Sequence, residues 1–121
     1  MNDIQTTEDI AQLVNRFYSK VVEDPLIKHF FTTVAHFSWE VHIPIMVTFW
    51  DSVLLGAATY KGQPMDKHFA LHKLSAMEHT HFERWLQLWE QTVNENFSGP
   101  IAADAVARAK SIARIMELKL Q

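Results

Sequence analysis

Only three glycines and four prolines punctuate the 121 residues, and this scarcity of turn formers constrains the fold most tightly. A sandwich or barrel of short strands needs a chain reversal about every 8–12 residues, usually marked by such residues. So few breakers predict a small number of long helices, an all-α chain forming one domain over residues 1–121. The chain is above the ~70–80 residues below which a core usually needs a disulfide or metal staple. There is no cysteine, which excludes disulfides, thiolate zinc sites, iron–sulfur clusters and a cysteine nucleophile.

Eleven basic residues against fourteen acidic ones give a net charge of −3, the wrong sign for a nucleic-acid binder. No apolar run approaches the length of a membrane span. The opening residues, Met1 to Asp9, are polar and acidic, unlike a signal peptide. The expectation is a cytoplasmic protein with no nucleic-acid or membrane partner.

The periodicity predicts where the helices run. Thr6 and Asp9 have the spacing of a capping box. After them Ile10, Leu13, Val14, Phe17, Tyr18 and Val21 recur every three or four residues, the stripe of a helix that closes by Asp24. Asp24 then caps a short helix carrying Leu26, Phe30 and Phe31, with Pro25 in its first turn. A third stretch, 38–55, carries an inward stripe of Trp39, His42, Met46, Phe49, Trp50, Val53 and Leu54. Pro44 either kinks it or divides a lead-in from the main helix. Gly56 is a plausible C-cap. Periodicity fades from Ala57 to Met77. It resumes from His79 to Phe97 with Phe82, Trp85, Leu86, Trp89 and Val93, and Gly99-Pro100 stops that helix. The last helix carries Ile101, Ala105, Val106, Ala109, Ile112, Ala113, Met116 and Leu120, and its alanines permit close helix approach.

Seven histidines and four tryptophans are an excess for so short a chain. No zincin motif, phosphate loop or nucleophile elbow accompanies them. His29, His36, His79 and His81 fall in polar surroundings and read as surface residues. The two-residue step from His79 to His81 puts them on different sides of a helix. His42 lies within an apolar stripe, where it is either a hydrogen-bonded core residue or a polar tip aimed into a ligand pocket. His68 and His72 are four apart and would share a helical face, an arrangement also open to a metal pair. Tyr18, Trp50 and Trp85 lie on inward faces. Together these residues describe an apolar cavity between helices with a few polar tips, the usual lining of a cofactor site.

The ordered set of residues resembles a family. It runs through Phe17-Tyr18, Asp24-Pro25-Leu26 and Trp39-x-x-His42-x-Pro44-x-Met46-x-x-Phe49-Trp50. It continues with Leu54-Leu55-Gly56, Tyr60-x-Gly62-x-Pro64-Met65-x-x-His68 and His81-Phe82-x-x-Trp85-Leu86-x-Leu88. This is similar to group III truncated haemoglobins over roughly residues 8–116. The resemblance implies a shortened globin, a two-over-two helical sandwich around haem b. It also implies His68 as proximal iron ligand, Tyr18 and His42 as distal residues, Trp85 as the pocket tryptophan, and Met46, Phe49 and Trp50 as the apolar haem-side helix. His72 competes with His68 for the proximal role. Lys61, Lys67 and Lys73 are candidate partners for the haem propionates. The implied function is reversible binding of O2 and of other diatomics such as CO and NO. Support of NO dioxygenation or peroxide removal would need an external reductase, since the chain carries no flavin or nicotinamide motif. The alternative from a different class is a haem-free helical interaction module using its tryptophan-rich face.

Overall fold

A computed structural model describes residues 1–31, 38–56 and 77–120, with Lys119 and Leu120 as backbone alone. The described residues form four helices: α1 (Thr7–Val21), α2 (Trp39–Leu55), α3 (His79–Asn96) and α4 (Pro100–Leu120). There is no strand among the described residues. α1 packs against α2, α3 packs against α4, and α1 also lies along α3, so two helix pairs stack as two layers around one core. No described helix is long and apolar enough to cross a membrane.

α1 forms as its sequence dictates. The Thr6 side chain accepts from the Asp9 N–H at 3.2 Å, and Asp9 accepts in return from the Thr6 N–H at 3.2 Å. Those reciprocal bonds satisfy donors that the first turn would otherwise leave unpaired. All six stripe residues of α1 are buried. Beyond it Asp24 accepts from the N–H groups of Leu26 and Ile27, which winds the following turn. The same carboxylate, 6% exposed, takes Nε and Nη2 of Arg84 from α3, each at 2.8 Å. An otherwise costly buried charge is thereby both paired and hydrogen-bonded.

α2 is a single helix from Trp39 with Pro44 inside it, the undivided one of the two arrangements the sequence allowed. Proline removes one backbone bond, to the carbonyl of Glu40, but both residues are exposed, where water can take that role. The inward stripe is narrower than predicted. Ile43, Met46 and Trp50 are buried, while His42, Phe49, Val53 and Leu54 are half-buried. Trp39 is 37% exposed, and its indole N–H donates to Asn15 on α1 at 3.1 Å. A helix apolar on nearly every side does not announce which face it buries.

α4 is capped from across the molecule. Its N-terminal N–H groups at Ile101 and Ala102 donate to the two carboxylate oxygens of Asp3 at 2.9 and 2.8 Å. Gly99 makes room for this: at φ 145° it holds a backbone conformation side chains rarely adopt, and a Cβ there would lie 2.5 Å from the Asp3 Cγ. Burial of Asp3 opposes its charged form, but the three backbone donors Ile101, Ala102 and Ile4 outweigh this and lower its pKa. The stabilisation is therefore complete above the unfolded value of 3.8 and is lost as pH falls through the lower folded value. Asp3→Ala is expected to cost about 1–2 kcal/mol at neutral pH. Urea unfolding at pH 6 and pH 3 checks this, the difference between variant and parent shrinking at the lower pH.

The alanines of α4 serve α3. Ala105, Ala109 and Ala113 are buried at the contact, and the shortness of Ala105 lets the Trp89 indole N–H reach its carbonyl at 3.1 Å.

Candidate functional site

The site begins on α1 with Tyr18, which is 5% exposed. Its hydroxyl lies 3.2 Å from His42 Nε2 on α2, with the two rings at 83°. Burial raises the phenol's pKa, so Tyr18 stays a neutral O–H group across the working pH range. Two tautomers of His42 divide the proton differently. With Nε2 bare, Tyr18 donates to it. With Nε2 protonated, His42 donates and the phenol proton is left to point elsewhere.

The helical repeat places Met46 and Trp50 on the His42 face of α2, four and eight residues on. Both are buried, and Phe49 packs on Trp50 with centroids 5.2 Å apart. From α3 come Trp85 and Trp89, one helical turn apart and parallel to within 6°. Trp50 stacks on Trp89 at 4.5 Å. Phe17 of α1 meets Tyr18 at 4.9 Å, Trp85 at 5.6 Å and Trp89 at 5.0 Å, so ring contacts run unbroken from Tyr18 to Trp50. The sequence assigned Phe17 and Trp89 to the core, and the structure makes them the links between the candidate pocket residues.

The four tryptophans divide by hydrogen bonding. Trp39 donates to Asn15 and Trp89 to the Ala105 carbonyl. Trp50 and Trp85, at 3% and 9% exposure, have no partner for their indole N–H among the described residues. A buried donor left unpaired costs about 1–3 kcal/mol, so such groups are retained where something else uses them. The two indoles without a partner among the described residues belong to the two tryptophans that the sequence assigns to the haem pocket by family resemblance.

The remaining described histidines are otherwise engaged. His79 Nδ1 lies 2.8 Å from Glu117 and Nε2 3.2 Å from Glu83. Its bond to Glu117, and secondarily the Glu83 charge, raises its pKa. His81 Nδ1 accepts the N–H of Glu78 at 2.8 Å, at the start of α3. His29 lies against the Phe30 ring at 4.0 Å. No group of three or more metal-ligating side chains with suitable geometry occurs among the described residues. His36, His68 and His72, with Lys61, Lys67 and Lys73, lie outside the described residues.

Two helix pairs packed around a cluster of aromatic rings, with a tyrosine–histidine pair at one end of it, are consistent with a globin. The model of the bacterial-like globin family matches residues 2–118, and the chain belongs to that family. A group 3 truncated hemoglobin of Campylobacter jejuni is 33% identical over 109 residues, spanning 88% of this chain and 84% of that protein. A crystal structure of a group III truncated hemoglobin from the same organism superposes with a TM-score of 0.87 at 30% identity. That superposition covers 100% of this chain and 96% of the other. The expected all-α truncated-globin fold therefore stands, and with it a haem-globin architecture of a kind that takes diatomic ligands.

Proposed function

We propose that this globin holds haem b against Tyr18, His42, Met46, Phe49, Trp50 and Trp85, with His68 as its axial ligand, and reversibly binds O2. The observation that carries the reading is the buried pair Trp50 and Trp85, whose indole N–H groups have no partner among the described residues. Haem, when bound, supplies an open coordination position for a diatomic ligand. Everything else is done by the chain. Met46, Phe49 and Trp50 present an apolar wall suited to a flat macrocycle and keep water out. Tyr18 and Trp85 hold donors for a ligand whose outer atom carries negative charge. His42 sets which way the Tyr18 proton points, through the 3.2 Å contact.

O2 accepts such bonds well and CO poorly, so the pocket favours O2 by slowing its escape. Sustained turnover on NO or peroxide would draw electrons from an external reductase. The cytoplasmic setting expected from the sequence suits that role.

The test is the visible spectrum of the purified protein and of haemin titrated into the haem-free chain. A sharp Soret band saturating at one haem per chain, shifted by O2 and by CO, is expected. Intact helicity with no such band would overturn the reading in favour of a haem-free interaction module. Stoichiometric zinc or iron without the band would mark a non-haem metal protein.

A further inference from the structure

Phe17 is 1% exposed and touches three other rings on two helices. Its plane stands at 70° to Tyr18, 88° to Trp85 and 86° to Trp89. Near-perpendicular packing is a preferred aromatic geometry, and it fixes orientation as well as distance. Trp89 is anchored besides by its bond to the Ala105 carbonyl. Trp85 has no such anchor among the described residues, and its indole packs against the rings of Phe17 and Trp89. Tyr18 follows Phe17 directly on α1 and packs against it at 4.9 Å.

We infer that Phe17 is a positioning residue that sets the relative orientation of the two pocket donors, Tyr18 and Trp85, and thereby the preference for O2 over CO. The inference rests on the haem–O2 reading above. Its physical basis is the contrast between two distance laws. Apolar contacts forgive a small rotation, whereas a hydrogen bond weakens steeply once its angle closes. A ring that wedges both donors across the α1–α3 seam therefore matters more to a ligand that accepts hydrogen bonds than to one that does not. The side chain reaches the ligand only through its neighbours.

Phe17→Leu keeps an apolar side chain but removes the ring, and Phe17→Met is the second variant should the first fold poorly. In the haem-loaded protein, O2 dissociation is expected to quicken about five- to tenfold while CO dissociation changes less than about twofold. In a Tyr18→Phe/Trp85→Phe background the same substitution should change O2 dissociation less than about twofold, because the groups it positions are gone. A further readout needs no gas: the Trp85 indole N–H resonance, identified by its loss in Trp85→Phe, should shift in Phe17→Leu. Equal effects on O2 and CO, an undiminished effect in the donor-free background, or no effect on O2 would overturn the inference. Absence of a Soret band in the parent would instead overturn the haem reading. The positioning role is then decided by the Trp85 resonance alone, and an unmoved signal in Phe17→Leu defeats it.

Discussion

Purified His68→Ala is expected to lose the Soret band almost completely, while His72→Ala keeps it. No cysteine is available as an axial ligand, and imidazole is the remaining strong one. Among the described histidines, His42 Nε2 faces the Tyr18 hydroxyl, both nitrogens of His79 face carboxylates, and His81 Nδ1 accepts a backbone N–H. The resemblance to group III truncated haemoglobins implies His68 as the iron ligand, and the Gly62-x-Pro64-Met65-x-x-His68 context favours it over His72. Free imidazole added to His68→Ala should restore much of the band by refilling the vacated position. Spectra of the ferric, deoxy-ferrous and CO forms across both variants decide the matter. Normal haem ligation in His68→Ala, with loss in His72→Ala, would exchange the two assignments.

The second large effect falls on ligand release. Tyr18→Phe and Trp85→Phe are each expected to raise the O2 dissociation rate about tenfold, the equivalent of one lost hydrogen bond of ~1.4 kcal/mol. Stopped-flow displacement of O2 measures it, with CO dissociation as the control and changing far less. Tyr18→Phe carries a second consequence, since it removes the hydrogen bond between Tyr18 and His42 Nε2. If His42 then binds iron in the absence of gas, a six-coordinate low-spin spectrum appears in Tyr18→Phe and vanishes when His42→Ala is added. Unchanged O2 release in both single variants would remove these residues from the ligand's surroundings. Their placement at 5% and 9% exposure, linked through Phe17, argues for the opposite result.

The two sets of effects differ in how far the sequence alone anticipates them. Helix α1 was legible at its start and along its buried face because those determinants are local, a capping box and a stripe at helical spacing; it closes at Val21, ahead of the Asp24 limit that Pro25 suggests. The same is true of α3, whose apolar stripe is regular. Helix α2 was legible as a helix but not as an oriented one. With apolar residues around its circumference, Trp39 looked inward and proved to be a surface residue tied to Asn15. The order of Tyr18, His42, Met46, Phe49, Trp50 and Trp85 along the chain was enough to suggest a haem pocket through family resemblance. No spacing rule indicated that Phe17 would wedge Tyr18 against Trp85, because its contact with Trp85 joins residues far apart in the chain.

Long-range polar contacts were hidden for the same reason. Asp3 and Ile101 are separated by 98 residues, yet one caps the helix that the other begins. Asp24 was foreseen as a cap, but its ion pair with Arg84, 60 residues on, was not. The sequence by itself determined the helical class, the capping box that starts α1, the C-cap at Gly56, and the absence of any thiolate chemistry. These depend on residue type and on neighbours within a turn or two. Tertiary structure alone decided which tryptophans spend their N–H groups and which keep them. An indole is satisfied only by an acceptor that folding brings within ~3 Å. Trp89 finds the Ala105 carbonyl and Trp85, one turn earlier on the same helix, finds none among the described residues.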